Sequence, residues 1–594
     1  MSMWRLALSV AAGVAHGFSM AWPAFALGDV LGITGQSSGL LQCFSLGILA
    51  ALLLQLASQD AQPTHYIVSN QAQSQKQLRG QSTGLQGAFI SAVFATSTMA
   101  ATWGWLYVSM HRYGGLPSWL AALAVLLLAA GLSLYFAAAG GVWVGVFRRF
   151  ILSARKTEGR YATQTDGMTL AEFKQALLGT LLFVALWTLA ELCRGQLLTG
   201  FPWGASGYAH LQSTLAGYAP WIGVYGMGAI AASVAMGIPL LVAIFMAGRT
   251  KAWLMLSLVL LILAVVIPTG LQNSGAEFTQ AAGKLKVRLL QGNIPQDEKF
   301  IPGQGVQLAL NWYGEQLLAN TEPLVITPET AIPVLPQQLS PPYWQAIKNK
   351  YAPTLSQNQL PDQKPDQLPT QLPVNPQTAL IGLPMGSSGV GYTNSALALG
   401  PEEVAYRYDK LHLVPFGEYV PPFFQWFVRM MNMPLGDFAQ DRPPAGVLKW
   451  QGQRLLPQIC YEDLFGEEMA RYFAKPEIAP TVFVNMSNLA WFGDTTAIPQ
   501  HVAISRMRAM EFQRPVIRAT NTGLTGLVDA KGEVIASLPS FTRGTLVLEF
   551  EGRSGLTPYA HWTSQWGLLP LWWLCIAIVL IFGAVSWRSG PRAL

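Results

Sequence analysis

A chain of 594 residues is longer than one ordinary hydrophobic core requires, so at least two structural units are expected. Only 11% of the residues are charged and 51% are hydrophobic, a balance typical of a membrane protein. The net charge of +6 is compatible with nucleic-acid binding, but Lys and Arg form no dense block and fall in short clusters between apolar runs, a distribution that membrane topology explains better.

Eight apolar segments are long enough to cross a hydrocarbon layer about 30 Å thick as helices that rise about 1.5 Å per residue. The two clearest are residues 252–270 and 568–585, which are 19 and 18 residues long and carry no charge. The six less uniform segments are residues 6–27, 40–57, 85–109, 120–147, 176–193 and 221–247. The first segment resembles a cleaved signal peptide, but seven further spans make a sorting signal redundant, and we interpret it as a retained helix.

Lys and Arg are unevenly divided between the two sides that these spans define. With the N-terminus in the cytoplasm, the inside segments hold thirteen of them, and the short outside loops hold only Arg112 and Arg194. Such an excess marks the cytoplasmic side of multi-span proteins. The sequence therefore predicts a membrane domain of seven helices over residues 1–270, an external domain over 271–565, and an eighth helix with a cytoplasmic tail over 566–594.

The cysteines divide in the same way. Cys43, Cys193 and Cys575 fall within predicted spans, which leaves Cys460 as the only cysteine of the external domain and without a disulfide partner there. A lone thiol in an oxidising compartment is a liability unless it is buried or used. This observation alone does not distinguish a Cys460 that packs in an apolar core from a Cys460 that reacts.

From Lys284 onward, short β-rich runs alternate with helical stretches, which predicts one α/β domain with layered sheets and helices. The nine candidate strands are residues 287–290, 324–327, 379–382, 404–408, 454–459, 482–485, 516–520, 525–528 and 545–550. The candidate helices are residues 305–319, 342–350, 465–473 and 499–513. Residues 351–377 hold six Pro and six Gln, and we interpret them as a flexible surface insertion without a chemical role.

Three of the predicted strands lead into a residue with catalytic potential: Glu329, Lys410 and Cys460. A thiol needs a base that removes its proton, and a tetrahedral intermediate needs a positive or hydrogen-bonding group at its oxyanion. Glu, Lys and Cys can supply these parts. Taken singly, each residue also has a structural explanation: Glu329 as a turn cap, Lys410 as a surface charge and Cys460 as a packed core residue.

Glu, Lys and Cys in this order at three strand ends resemble the nitrilase superfamily, whose domains are α-β-β-α sandwiches. A narrower similarity, over nearly the whole chain, is to the bacterial apolipoprotein N-acyltransferase family, which joins such a domain to a multi-span membrane domain. The segments that carry this similarity are residues 105–109 (WLYVS), 199–203 (TGFPW), 291–296 (QGNIPQ), 409–421 (DKLHLVPFGEYVP), 460–462 (CYE), 485–488 (NMSN) and 490–494 (AWFGD).

The resemblance implies a ping-pong reaction in which Cys460 takes an acyl chain from a membrane phospholipid as a thioester. The α-amino group of a diacylglyceryl-cysteine at the N-terminus of an apolipoprotein would then receive the chain. Glu329 corresponds to the general base of the family, Lys410 to the oxyanion partner and Cys460 to the nucleophile. The resemblance also marks supporting or substrate-binding residues, which are Glu418, Tyr461 and Glu462.

The same resemblance implies the bacterial cytoplasmic (inner) membrane as location, with the catalytic domain on the periplasmic side, and no cofactor or nucleic-acid partner. The seven His are scattered without ligand-like spacing, so no metal site is predicted. Two positions depart from the family pattern. Thr327 stands where the family usually has Trp, and Phe300 stands where some members place a Trp, which puts details of substrate contact in doubt.

Other functions and features remain open at this point. A membrane-tethered nitrilase-like hydrolase that acts on a soluble amide shares the same three residues, and a transporter would need repeated, broken helices that the sequence does not display. Glu191 and Arg194 form either an ion pair that stabilises a helix end or part of a substrate entrance, and His16 is interpreted as a packing residue. Residues 419–433, rich in Phe and Met, are either a core helix or a lipid-facing arm.

Overall fold

The computed structural model describes residues 2–24, 28–29, 32–58, 70–158, 170–246, 248, 250–273, 277–352, 376–387, 391–401, 406–420, 424–426, 438–439 and 443–588. The chain divides into two compact units. The membrane unit comprises Met1–Gly104, Trp119–Ala276 and Trp566–Leu594, and the catalytic unit comprises Trp105–Ser118 and Glu277–Gln565. The short segment Trp105–Ser118, predicted as part of the membrane domain, thus groups with the catalytic unit.

The membrane unit is built from long apolar helices. They are Met3–Phe18, Gly39–Ser58, Asn70–Thr102, Ser118–Glu158, Leu170–Gln196, Ala219–Met246, Thr250–Leu261, which continues through Ile262–Val266 into Ile267–Asn273, and Leu569–Arg588. Seven helical stretches of the described residues are long and apolar enough to cross a membrane. The predicted span 6–27 is the exception, because its helix ends at Phe18 after 16 residues, fewer than the roughly 20 that a span needs. The predicted number of eight is therefore approximate.

The helix Met3–Phe18 nevertheless lies deep against its neighbour Asn70–Thr102. A Cβ atom on Gly13 would lie 2.4 Å from the main-chain oxygen of Phe94, and one on Gly17 would lie 2.6 Å from that of Thr98. Only glycine permits this approach of two backbones, which is how helices gain dispersion contacts in an apolar environment. The first helix therefore belongs to the packed membrane unit.

The polar residues noted in the membrane segments form hydrogen bonds inside this unit. Glu191 accepts hydrogen bonds from the main-chain N and the Oγ of Ser206, each at 2.8 Å, and Arg194 donates to the main-chain oxygens of Phe201 and Trp203. Within the described residues no direct ion pair joins Glu191 to Arg194, so the expected pair is replaced by hydrogen bonds to the following loop. His16 contacts Ser45 Oγ at 3.2 Å, as a packing histidine does.

Two six-stranded sheets form the centre of the catalytic unit. In chain order the strands are β1 (Thr279–Gln291), β2 (Leu324–Ile326), β3 (Thr378–Ser387), β4 (Gly391–Leu399), β5 (Tyr406–Asp409), β6 (Leu448–Trp450), β7 (Gln453–Ile459), β8 (Val482–Ser487), β9 (Val516–Thr520), β10 (Gly526–Val528), β11 (Val534–Ser537) and β12 (Gly544–Gly555). One sheet has the order β12-β1-β2-β3-β4-β5, and the other has the order β11-β10-β9-β8-β7-β6. In the second sheet β7, β8 and β9 are parallel, so their carboxyl ends meet at one edge.

Three hydrophobic cores hold the two sheets and the helices in four layers. The first core lies between the sheets, where β1 and β2 contribute residues such as Leu289 and Ile326, and β7 and β8 contribute residues such as Ile459 and Val484. The second core joins the first sheet to the helices Gly305–Leu318 and Pro341–Tyr351. The third joins the second sheet to Gly466–Ala470, Ala497–Phe512 and Pro558–Trp566. This is the α-β-β-α arrangement that the resemblance implied.

All nine predicted strands coincide with or overlap a strand of the structure, and three strands, β4, β6 and β11, were missed. The sequence of β4, GYTNSALAL, has few β-branched residues, and its extended conformation depends on pairing with β3 from Ala379–Leu399 to Ser387–Gly391. The strands β6 and β11 have only three and four residues. Most of the Pro/Gln-rich insertion, residues 353–375, lies outside the described residues.

The segment Trp105–Ser118 contacts the rest of the catalytic unit through aromatic side chains. Trp105 donates from Nε1 to Gln500 Oε1 at 3.0 Å, and its ring lies 4.4 Å from that of Phe492. Tyr113 makes an edge contact with Trp491 at 5.8 Å. Two of these contacts, with Trp491 and Phe492, attach the segment to the turn that follows Asn488, which is part of the candidate active site.

Candidate active site

The three residues predicted from strand ends all lie next to the strands from which they were predicted. Glu329 follows β2 after Thr327 and Pro328, Lys410 directly follows β5, and Cys460 directly follows β7. Glu329 and Lys410 are buried, with 8% and 3% of their surfaces exposed. The ends of two strands of one sheet and of one strand of the other thereby supply a carboxylate, an ammonium and a thiol.

Lys410 lies between two carboxylates. Its Nζ is 2.8 Å from Glu418 Oε2 and 3.6 Å from Glu329 Oε1. Burial alone lowers the pKa of the Lys410 ammonium, but the charges of Glu418 and Glu329 outweigh this effect and raise its pKa above the usual value. Lys410 is therefore a cation throughout the neutral range, held in place by Glu418.

Asn394 of β4 connects the two carboxylates, a role that the sequence analysis missed. Its Nδ2 donates to Glu329 Oε1 at 2.7 Å and to Glu418 Oε1 at 2.9 Å. The other oxygen of Glu329 accepts from the main-chain N of Asn488 at 2.9 Å, and the other oxygen of Glu418 accepts from the main-chain N of Val414 at 2.9 Å. Both carboxylates are thus bound through both of their oxygens. A signal for Asn394 was absent because β4 itself was not predicted.

Thr327, the departure from the family pattern, has a structural role of its own. Its Oγ1 accepts a hydrogen bond from the main-chain N of Gly382 at 2.9 Å, which joins the end of β2 to β3. A Cβ atom on Gly382 would lie 2.2 Å from the main-chain oxygen of Pro328, so only glycine fits beside the turn that carries Glu329. The other departure, Phe300, is 38% exposed.

Cys460 adopts an unusual backbone conformation. Its φ angle of 58° lies in the left-handed region, which residues with a Cβ atom rarely adopt, and its turn therefore needs support. Asn485 Nδ2 donates to the main-chain oxygen of Cys460 at 2.8 Å, and His501 Nε2 lies 3.3 Å from the same oxygen. Since Arg518 donates to Nδ1 of His501 at 2.8 Å, the ring proton is on Nε2 and points to Cys460.

The thiol of Cys460 is not ionised in the resting protein. The loss of surrounding water raises its pKa well above the ordinary value, and the negative charge of Glu329 raises it further, whereas the charge of Lys410 acts in the opposite direction. Cys460 keeps part of its accessible surface. The arrangement can therefore produce a thiolate only if a nearby base accepts the proton, and Glu329 is the carboxylate that acts most strongly on this thiol.

Glu462 and Tyr461 join the nucleophile segment to the lysine segment. Glu462 accepts hydrogen bonds from the main-chain N of Ile459 at 2.7 Å, from those of Leu411 and His412 at 2.7 and 3.1 Å, and from Tyr408 OH at 2.9 Å. Tyr461 OH donates to the main-chain oxygen of Leu413 at 2.7 Å. These contacts position the loop after Lys410.

Little of the Phe- and Met-rich segment 419–433 belongs to the described residues, since 421–423 and 427–437 lie outside them. Of the described part, Phe424 is 44% exposed and Trp426 is 61% exposed, and Phe424 contacts the ring of Phe416 at 5.3 Å. Exposed aromatic side chains are typical of a surface that meets a membrane interface rather than of a core helix. The exposure of Phe424 and Trp426 favours a lipid-facing arm over a core helix for this segment.

A two-sheet domain with a buried Glu and Lys beside a Cys at a strand end defines a protein of the carbon-nitrogen hydrolase class, and residues 286–559 match the carbon-nitrogen hydrolase family. Residues 76–237 match a second family, the apolipoprotein N-acyltransferase N-terminal domain. The chain is 43% identical to an apolipoprotein N-acyltransferase of Verminephrobacter eiseniae, over 95% of this chain and 94% of that protein. It is 43% identical to one of Ralstonia nicotianae, over 80% and 81%. The chain therefore belongs to the apolipoprotein N-acyltransferase family.

Family membership decides between the two enzymatic functions that the sequence left open, an acyltransferase and a hydrolase. The relatives are named as acyltransferases, and their similarity extends through both the membrane helices and the catalytic unit. The reading as a membrane-tethered hydrolase of soluble amides is not favoured. The protein is an enzyme and a multi-pass bacterial membrane protein, as predicted.

Proposed function

We propose that this chain transfers an acyl chain from a membrane phospholipid, through a thioester on Cys460, to the N-terminal amine of diacylglyceryl-cysteine in apolipoproteins. Lipoprotein N-acylation follows from family membership, and the observation that supports this particular route is the cluster of Glu329, Lys410 and Glu418 that acts on Cys460. The donor and the lipidated acceptor both reside in the bilayer. A catalytic unit attached to membrane helices can meet them without extracting either lipid.

In the first half-reaction, Glu329 accepts the proton from Cys460 Sγ while the sulfur attacks the ester carbonyl carbon of the phospholipid. The carbonyl oxygen becomes an oxyanion, which the Lys410 ammonium stabilises. When the carbon–oxygen ester bond breaks, the leaving oxygen takes the proton from Glu329 and lysophospholipid departs. The acyl chain remains on sulfur as a thioester.

In the second half-reaction, the free amine of the lipidated cysteine attacks the thioester carbonyl carbon. Glu329 accepts a proton from the attacking nitrogen, and Lys410 again stabilises the oxyanion. The carbon–sulfur bond then breaks, Cys460 leaves as a thiolate, and the proton on Glu329 returns to it. One amide bond has formed, and the enzyme is back in its starting protonation state.

Incubation of the detergent-solubilised full chain with phospholipid alone tests the first half-reaction. We expect the intact mass to rise by one acyl group and a peptide digest to locate that group on Cys460, with one lysophospholipid released per adduct. Addition of a diacylated lipopeptide with a free amine should remove the adduct and yield the N-acylated lipopeptide. An N-acetylated lipopeptide is the matched control, because it has no nucleophilic amine. Transfer without any adduct on Cys460 would contradict the thioester route.

We also propose that the catalytic unit lies on the periplasmic side of the inner membrane, on the basis of the thirteen-to-two division of Lys and Arg. In a Cys460→Ser background, Lys531→Cys places a thiol at an exposed site of the catalytic unit, and Arg149→Cys places one at an exposed site near a predicted cytoplasmic loop. A membrane-impermeant maleimide added to spheroplasts should label the first variant and not the second. Labelling of Lys531→Cys only after permeabilisation would reverse the proposed orientation.

A further inference from the structure

A second lysine lies beside the proposed base. Lys299 belongs to the loop between β1 and the helix Gly305–Leu318, and only 1% of its surface is exposed. Its Nζ donates a hydrogen bond to the main-chain oxygen of Glu329 at 3.3 Å, and it lies 5.8 Å from the ring of Phe300. This side chain takes no part in the proton transfers between Cys460 and Glu329.

Burial of this ammonium needs a reason. Removing a charged group from water costs several kcal/mol unless opposite charge and hydrogen bonds compensate for it. The ammonium has three N–H donors, and the structure gives it one main-chain acceptor, while Glu329 supplies the opposing negative charge. A buried lysine with a single hydrogen-bond acceptor, next to a catalytic carboxylate, indicates a functional role rather than core packing alone.

The charges of the site support a role for Lys299. Glu329 and Glu418 contribute two negative charges, and Lys410 between them contributes one positive charge. Without another cation this buried cluster carries one net negative charge before proton transfer and no net charge after Glu329 accepts the proton, so the thiolate or oxyanion at Cys460 faces no net positive charge. With Lys299 protonated, the cluster is neutral before proton transfer and positive after Glu329 accepts the proton. The developing anion then faces a favourable charge.

The hydrogen bond from Lys299 also acts on the backbone. The oxygen that it binds belongs to the peptide unit between Glu329 and Thr330, and Thr330 has a φ angle of 50°. A β-branched residue in the left-handed region is unfavourable, so the turn needs external support to keep its conformation. Lys299 supplies such support directly at the residue whose carboxylate accepts the proton.

We propose that Lys299 is a positioning residue for the reaction, which fixes the main chain of Glu329 and supplies the second positive charge that the anionic intermediate of Cys460 requires. This inference rests on the proposed function, since it assigns Glu329 as the base. Lys299 acts through Glu329 and the charge of the site.

This role gives the reaction a characteristic pH dependence. Burial lowers the pKa of Lys299 to about 8, although the charge of Glu329 opposes the effect. Glu329 is the charged group that acts on Lys299 from another element, and the acidic neighbours on its own loop, Asp297 and Glu298, are exposed to solvent. Below about pH 8 Lys299 is an ammonium, and above this value it becomes neutral. Thioester formation should therefore slow as the pH rises through this range.

The test compares the wild type with Lys299→Arg and Lys299→Met in single-turnover release of lysophospholipid between pH 6 and pH 10. We expect the wild-type rate to fall above about pH 8. The arginine variant should move this fall to higher pH, because a guanidinium stays charged. The methionine variant should be about tenfold or more slower at neutral pH, with an unchanged KM for phospholipid and no fall near pH 8. Lys284→Met removes an exposed lysine of the same unit and should match the wild type.

The unfolding temperature of each variant is measured in detergent together with its rate, so that a misfolded variant is recognised. If Lys299→Met does not fold, the wild type and the arginine variant still decide the question through the position of the alkaline fall. A wild-type fall near pH 8 that Lys299→Arg leaves in place would overturn the inference, and so would a folded methionine variant with normal rates. Absence of any adduct on wild-type Cys460 would overturn the proposed function, and this inference with it.

Discussion

Cys460→Ser is expected to abolish acyl transfer while the protein folds and inserts normally. Serine has nearly the same size and can adopt the left-handed turn as readily as cysteine, and the hydrogen bonds from Asn485 and His501 go to the main-chain oxygen, which is unchanged. A hydroxyl is far harder to ionise than a thiol, so Glu329 cannot generate the nucleophile. The rate should fall by more than about 10,000-fold, the order of loss found when a nucleophile of covalent catalysis is removed.

The measurement is lysophospholipid release together with intact mass, which should detect no adduct on the serine variant. Cys43→Ser, Cys193→Ser and Cys575→Ser are matched controls, since these three thiols are also free and lie on helices of the membrane unit. Each should retain most of the activity. Substantial turnover by Cys460→Ser with phospholipid and lipopeptide would require the thioester mechanism to be abandoned.

Lys410→Met is expected to slow both half-reactions by about 100- to 1000-fold, the typical cost of one lost oxyanion donor. Methionine retains much of the lysine stem but has no charge, and each half-reaction passes through an oxyanion. The same change leaves Glu329 and Glu418 without the cation that lies 3.6 and 2.8 Å from them. Loss of one partner from a buried ion pair destabilises a protein by about 3–5 kcal/mol, so a lower unfolding temperature is also expected.

The double variant Lys410→Met with Glu418→Gln separates the effect on rate from the effect on stability. It removes the carboxylate that depends most closely on Lys410, and it should recover part of the unfolding temperature without recovering the rate. The two half-reactions are measured separately, as adduct formation and as transfer to lipopeptide. Unchanged rates in both for the single variant would contradict the role of Lys410.

Several features of the catalytic unit could be predicted because they depend on short stretches of chain. The strand ends that carry Glu329, Lys410 and Cys460 were located from runs of β-forming residues followed by polar residues. The strands β4, β6 and β11 could not be located in this way, because two are very short and β4 is extended through its pairing with β3 and β5. Asn394 was missed for the same reason.

The sequence by itself determined seven of the eight predicted membrane helices, the two-unit organisation and the identity of the three candidate catalytic residues. Helix length and apolar content are local properties, and the motif segments stand in a specific order along the chain. Only the tertiary structure decided which groups surround Glu329. Asn394, Lys410 and Asn488 are 65, 81 and 159 positions away from it in sequence. Contacts between buried charges depend on how the two sheets meet, and no local pattern encodes that meeting.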